Sequence, residues 1–459
     1  MTTPDGQAMP SLAELIDRTE ASINRTAQQQ LQDPVVLEGL AQSWRSWVAG
    51  LAAMPAELRG LARSVELFRG GPGYPGGLGD DYPSGLLGFV RTMWITSART
   101  LAMQQGLMPY GVDESRRLHQ LASTLEAARQ PAFAPTPCAI VHQTAEYRLR
   151  AVAPDGASGE PILVVSSLIN RWYILDFQVE QSFIAMLRGF GRPVYLLEWW
   201  APRVDDDRGL GELAAGPVVE ATDWIRTHHD VNAIAMVGYS MGGTIAACLA
   251  SRYPERISRL ATVCSPIDFA RGGSFTQWLS SKFVDIDLVT SAWNRVPAEL
   301  VHAPFWWLRP SIKLHKLALL ARAFERPNYV EQFLATEVWN HDNVELSRGV
   351  FRSWVGELYQ RNALVNGTMV VGGEAVHPSR IACPVLIVSG TGDTIVPPEA
   401  AEGLAELCAP GVARVLRVES GHVGVLTSRR ALALQATEFK TWLEAPLPAK
   451  RTQRRSEAS

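Results

Sequence analysis

Ile234-Ala235-Met236-Val237-Gly238-Tyr239-Ser240-Met241-Gly242-Gly243-Thr244-Ile245-Ala246-Ala247 is the stretch whose reading decides the fold. Its first half is an unbroken apolar run, the pattern of a strand buried on both faces. Its second half opens on glycines and continues in small and apolar residues, the pattern of a helix laid against that strand. The turn between them reads Gly-x-Ser-x-Gly. That pentapeptide is a weak signal alone, but between a strand and a helix it is the setting of a nucleophile elbow. The sharp turn forces the serine into a strained backbone conformation, and glycines are needed where side chains would strike the neighbouring strands. The helix N-terminus beside the serine favours negative charge developing there.

A serine hydroxyl is a poor nucleophile until a base takes its proton. His422, in Ser420-Gly421-His422-Val423-Gly424, follows the apolar run Ala413–Val418 and is the expected base. Asp393 follows Val385–Gly390, a strand lying between the other two in sequence, and is the expected carboxylate. The order Ser, Asp, His is the one used by α/β-hydrolases. Asp393 would fix the imidazole tautomer and stabilise its charged form. Asp268, just past another strand end, is the alternative acid. The oxyanion hole is expected from the backbone N–H of Met241 and from the loop after Ser167, at Leu168 or Ile169.

Working outward, short apolar runs alternate with helical segments from about residue 138. Strands are expected at 139–141, 147–152, 161–167, 194–198, 233–238, 260–264, 385–389 and 413–418, with helices at 183–190 and 216–228 between them. Apolar strands with crossover helices mean a mostly parallel sheet covered on both faces, an α/β class protein. The tryptophan-rich span from about 270 to 375 breaks the rhythm and reads as a helical cap inserted between two strands. The expected division is a helical N-terminal extension over 1–135, a catalytic domain over 136–445 and a solvated basic tail over 446–459.

Within the extension, Ser11-Leu12-Ala13-Glu14 is a capping box. Asp33-Pro34 opens a second helix bearing Trp44, Trp47 and Leu51, and a third helix is expected over 86–105. Between them, Gly70 to Gly79 holds six glycines in ten residues and can only be a loop.

The chain has 459 residues, a formal net charge of −3, and is 47% hydrophobic and 19% charged. That balance lacks the basic footprint of a nucleic-acid binder. Five cysteines without paired spacing argue against a disulfide framework and against a metal site, and read as buried small apolar groups. His228-His229 at a helix end reads as a cation pair favoured by the helix dipole. No apolar run reads as a membrane span or a signal peptide, so a cytoplasmic protein is expected. No phosphate-cradling loop is present, and no dissociable cofactor is implied.

Several separate segments resemble one family. Ser167-Leu168-Ile169-Asn170-Arg171-Trp172-Tyr173-Ile174-Leu175-Asp176-Phe177 is similar to a signature of polyhydroxyalkanoate (PHA) synthases, and Gly238-Tyr239-Ser240-Met241-Gly242-Gly243-Thr244 resembles their lipase-like box. Ser265–Phe269, Leu358–Asn362, Ile395–Pro398 and Ser420–Gly424 add to the likeness, which covers about residues 138–442. The subgroup most similar is the short catalytic subunit of the two-subunit synthases. The resemblance implies hydroxyacyl chemistry on thioester or polyester substrates such as hydroxyacyl-CoA. It adds Asn170, Tyr239, Trp339 and Asp342 as candidate pocket residues. By analogy, the N-terminal helices would dock on a polymer granule or replace a partner subunit. A homodimer is left open.

One departure matters chemically. The family nucleophile is cysteine, and here it is Ser240. An acyl group on cysteine is a thioester and stays activated towards a hydroxyl. On serine it is already an oxyester, so passing it to another hydroxyl is near thermoneutral while attack by abundant water is favourable. The reading from sequence is therefore a serine enzyme that hydrolyses or singly transfers hydroxyacyl groups. Polymer synthesis is the alternative, and an inactive granule-bound scaffold the second alternative.

Overall fold

The computed structural model describes residues 84–106, 112–129, 131–152, 156–199, 207–308 and 312–447, with isolated positions between 38 and 50. The expected capping box, the glycine-rich loop, Trp44, Trp47, Leu51 and nearly all of the tail lie outside the described residues.

The chain divides into two compact units, Met1–Ala134 with Ser281–Glu345, and Pro135–Ser280 with Leu346–Ser459. The boundaries expected from sequence differ: the middle of the tryptophan-rich span joins the N-terminal segment, while its flanks belong to the sheet-bearing unit. Packing within the first unit supplies the reason. Helix Ser84–Gly106 carries Trp94, whose ring meets Phe333 edge-on at 5.0 Å and whose indole N–H donates to Glu337 Oε2 at 3.2 Å. Glu337 and Phe333 lie on helix Tyr329–His341, and the buried Glu337 carboxylate also accepts from Lys316. An apolar ring contact plus a paired buried charge joins segments about 240 residues apart in sequence.

The second unit is built on one eight-stranded sheet. Its strands are β1 (Ala139–Gln143), β2 (Tyr147–Ala151), β3 (Ile162–Val165), β4 (Val194–Trp199), β5 (Ile234–Tyr239), β6 (Ile257–Val263), β7 (Val385–Gly390) and β8 (Ala413–Val418). The spatial order is β1-β2-β4-β3-β5-β6-β7-β8. Strands β1 and β2 pair antiparallel, as do β2 and β4. Every other neighbour pair is parallel. The four residues of β3 are fully buried, as an apolar strand in the middle of a covered sheet must be.

Parallel pairing puts the carboxyl ends of β3, β5, β6, β7 and β8 along one edge, the usual place for a site in an open α/β sheet. The register sets the levels. Val165 pairs Gly238, Tyr239 pairs Val263, Val263 pairs Val388, and Gly390 pairs Val418. Among the described residues, no helix is long and apolar enough to cross a membrane.

Candidate active site

Ser240 stands between β5 and helix Met241–Arg252 with φ +52° and ψ −127°. A non-glycine residue there costs on the order of 1–3 kcal/mol and persists only when its surroundings force it. The glycines do the forcing. A Cβ on Gly238 would lie 2.3 Å from Gly243 Cα, and one on Gly242 would lie 2.2 Å from the Val165 carbonyl oxygen. The helix start is thus pressed onto the ends of β5 and β3, and Ser240 is the residue left in the corner.

Asp393 and His422 come from adjacent loops that are knitted together. The Thr391 N–H donates to Val418 O at 2.9 Å and the Gly392 N–H to Ser420 O at 3.0 Å. Gly390 is required here, because a Cβ on it would sit 2.6 Å from the same Ser420 oxygen. Asp393 Oδ1 accepts from the N–H groups of Ile395 and Val396, both at 2.9 Å, which fixes the carboxylate plane. Its Oδ2 accepts from His422 Nδ1 at 2.7 Å. That acceptor puts the ring proton on Nδ1 and leaves Nε2 free to accept from the Ser240 hydroxyl, at 3.1 Å. Serine, imidazole and carboxylate form one hydrogen-bonded line, with the Asp393 side chain fully buried and His422 nearly so. Asp268, the alternative acid, is committed elsewhere: its Oδ1 accepts from the Ala270 N–H and from Asn362 Nδ2, and its Oδ2 pairs with Arg271.

Of the residues expected at the oxyanion hole, Met241 is the first residue of the helix, where a backbone N–H has no partner within the helix. The loop after β3 is anchored on two sides: Ser166 Oγ donates to Leu197 O at 2.7 Å, and Trp199 Nε1 donates to Ser166 O at 2.9 Å. The Ile169 N–H is directed to Ser167 Oγ at 3.4 Å.

Among the pocket candidates, Asn170 is partly exposed beside that loop. Tyr239 is buried, and its hydroxyl donates to the His422 carbonyl at 3.4 Å. Trp339 and Asp342 are buried in the first unit, at the C-terminal end of helix Tyr329–His341.

Two readings of individual residues need correction. The cation form of His229 is disfavoured: burial and the charge of His228 push it below its ordinary value, and its Nε2 shares a hydrogen bond with Tyr195 Oη at 2.7 Å. The cysteines are all free, but Cys138 is exposed and Cys383 partly so, which leaves three buried. One of those three was missed as part of the site. Cys264, the residue after β6, brings its sulfur within 4.8 Å of an Asp393 carboxylate oxygen and a His422 ring nitrogen. Its place just past a strand end, level with Ser240, is the signal that could have revealed it. Among the described histidines, cysteines and acids this is the one group close enough to share a metal ion. Its His422–Asp393 edge is already closed by a 2.7 Å hydrogen bond.

The α/β hydrolase fold model matches residues 187–428, more than half of the chain. The chain is 30% identical over 300 residues to the poly(3-hydroxyalkanoate) polymerase subunit PhaC of Thiocystis violacea, covering 65% of this chain and 84% of that one. It is 30% identical over 296 residues to the same subunit of Allochromatium vinosum, covering 63% and 83%. Among solved structures, an enol-lactonase from Burkholderia xenovorans matches with 16% identity and a TM-score of 0.35, over 67% of this chain and all of that one. A fold-model match over more than half of the chain, and PhaC relatives at 30% identity along most of their own length, place it: the chain belongs to the α/β-hydrolase fold family and, within it, to the poly(3-hydroxyalkanoate) polymerase subunit PhaC family.

Proposed function

We propose that this protein is an acyltransferase of the PHA-polymerase type that carries a 3-hydroxyacyl group on Ser240. The observation that carries the reading is the line from Ser240 Oγ through His422 to Asp393, with contacts of 3.1 and 2.7 Å. Ser240 Oγ attacks the carbonyl carbon of a hydroxyacyl thioester while His422 Nε2 takes the hydroxyl proton. The oxyanion that forms is met by the N–H groups of Met241 and Leu168, whose fixed orientation costs no reorganisation during the reaction. Collapse expels the thiolate, which receives the proton from His422, and leaves an acyl ester on Ser240. A second hydroxyl then gives its proton to His422 Nε2 and attacks that ester; collapse breaks the acyl–Oγ bond, and Ser240 Oγ takes the proton back from His422. Asp393 holds the imidazolium in both halves.

The acceptor decides the outcome, and two readings have separate support. The relatives are named as polymerase subunits, which favours the hydroxyl of a growing polyester chain. Ser240 itself favours water, because transfer from an oxyester to a hydroxyl gains little free energy while hydrolysis is downhill. On either reading the buried, intact serine–histidine–aspartate line argues against an idle scaffold. The N-terminal segment 1–135, by the same analogy, would serve for docking to a granule or partner subunit.

The test is incubation of the purified full chain with 3-hydroxybutyryl-CoA, following free thiol and insoluble polymer together, with Ser240→Ala as control. Thiol release with polymer supports the polymerase reading. Release with free hydroxy acid alone supports the hydrolase reading. Release that survives in Ser240→Ala sinks both.

A further inference from the structure

Resting on the assignment of Ser240 as nucleophile and His422 as its base, we propose that Cys264 is a positioning residue of this site, whose thiol donates to the Asp393 carboxylate and so sets how firmly that carboxylate holds the His422 imidazolium.

Topology puts the cysteine where such a role is open to it. Val263 pairs with Tyr239 on one side and Val388 on the other, so Cys264 lies one step past the end of β6, between the strand that leads to Ser240 and the strand that leads to Asp393. The Cys264 N–H donates to Val388 O at 2.8 Å, which ties it to the acid's own strand. Its φ is +46°, a left-handed conformation uncommon for any residue but glycine, asparagine or aspartate. A surface turn would relax from it. Here it is held at a fully buried position, and it brings the sulfur within 4.8 Å of both Asp393 and His422.

The chemistry of the surroundings allows one role. Burial and the charge of Asp393 hold the Cys264 thiol far above its usual range. It stays an S–H donor and cannot stand in for the elbow nucleophile, because the thiolate is the reactive form. The carboxylate has room for it: three N–H donors reach Asp393, from Ile395, Val396 and His422, and a carboxylate offers about four lone-pair sites. The other ionisable groups that feel Asp393 are Tyr239 and Tyr359, both buried phenols pushed above their usual range and so neutral. The Tyr239 hydroxyl is already directed to the His422 carbonyl. A thiol donor draws charge away from the carboxylate. Its loss concentrates that charge, favours the protonated imidazole, and moves the pH at which His422 becomes a working base upward.

The experiment is the rate of covalent labelling of Ser240 by a fluorophosphonate, followed from about pH 5 to 9, the range in which a histidine base titrates. The full-length wild type is compared with Cys264→Ala, Cys264→Gly and Cys264→Ser. Glycine accepts the positive φ without strain, so that variant removes the thiol without taxing the backbone. In the Ala and Gly variants the midpoint is expected to rise by about half a pH unit, with a roughly twofold loss of rate near the wild-type midpoint and about threefold well below it. Serine, which keeps a donor, is expected to return the midpoint towards wild type. An unmoved midpoint in both Ala and Gly, with only the melting temperature lowered, reduces Cys264 to packing and overturns the proposal. A wild type that resists the probe at every pH is a different result. It removes the serine assignment itself, and the Cys264 role with it.

Discussion

The Tyr239 hydroxyl donates to the His422 carbonyl at 3.4 Å, and the two rings lie 5.3 Å apart. The residue that precedes the elbow serine in sequence therefore braces His422, whose Nε2 lies 3.1 Å from that serine's oxygen, across 183 positions of chain. The support is mechanical. The phenol is fully buried and held neutral, so it adds no charge to the site.

Removing that oxygen while keeping the ring tests the support. Tyr239→Phe leaves one backbone carbonyl without its donor, a loss of about 0.5–1.5 kcal/mol for a neutral hydrogen bond, and less for one this long. The expected result is a two- to fivefold fall in kcat with KM little changed, about the fold-change that the lower half of that range converts to. Steady-state kinetics on a hydroxyacyl thioester checks it. A fall in KM alone would mean that the ring reports on substrate and not on the base.

The elbow makes a steric prediction. A methyl on Gly242 would overlap the Val165 carbonyl oxygen, 2.2 Å away, and the Ser166 oxygen, 2.7 Å away. Both are backbone atoms of β3 and its following loop, so neither can swing aside as a side chain would. Gly242→Ala is expected to cost about 1–3 kcal/mol of stability or more, as overpacking does, and to displace the loop that carries Leu168. A lowered melting temperature together with a larger loss of activity than of folded protein is the expected outcome. An unchanged melting temperature would show that the elbow tolerates side chains the geometry excludes.

The legibility of the molecule follows from where information is local. The strands could be read because a strand buried on both faces is a contiguous apolar run, and β3, β5 and β7 are such runs. Ser240, Asp393 and His422 could be picked out because strand ends place them, and chain order then assigns the roles. What could not be read depends on partners remote in sequence. Asp268 stays an alternative to Asp393 in the sequence, since both follow a strand; Asn362 and Arg271 claim the first while His422 meets the second. The contact of the Tyr239 hydroxyl with the His422 carbonyl joins residues 183 positions apart, and no local pattern links them. The joining of helix Ser84–Gly106 to residues 281–345 rests on Trp94, Phe333 and Glu337, which no local pattern links. Cys264 offers only its place just past a strand end, a weak signal for a residue type that is ordinarily buried packing, and the fold shows what it faces.

Asp176 gives a pH prediction. It is buried, and burial raises its carboxyl above the ordinary range despite hydrogen bonds from Ser182 and from the Thr136 hydroxyl and N–H. A carboxyl raised in the folded state binds its proton more tightly there than in the unfolded chain. Its contribution to stability is then fully present below the unfolded value, about 3.9, and is lost as pH rises through the higher folded value. Asp176→Asn removes that titration. Its amide oxygen can accept from the Thr136 N–H while its NH2 donates to the two hydroxyls, which rotate to accept. The melting temperature of the variant relative to wild type is therefore expected to rise as pH is taken from about 4 to 7. A constant difference across that range would mean that the hydrogen bonds, and not burial, govern Asp176.

The most informative substitution is Ser240→Cys. On the proposed mechanism, cysteine at the elbow changes the intermediate from an oxyester to a thioester and leaves His422 and Asp393 in place. Transfer to a chain-end hydroxyl then converts a thioester into an ester and is downhill, where from serine it is near thermoneutral. The thiol is also less dependent on the base, since a few per cent of it is ionised at neutral pH. With 3-hydroxybutyryl-CoA, the fraction of released acyl groups recovered as insoluble polymer is expected to rise several-fold over wild type, and the fraction recovered as free hydroxy acid to fall. If the wild type already places most acyl groups in polymer and the exchange leaves that partition unchanged, the energetic case for hydrolysis by a serine enzyme fails. The acceptor is then chosen by how the site excludes water and seats the chain end, whatever atom carries the acyl group.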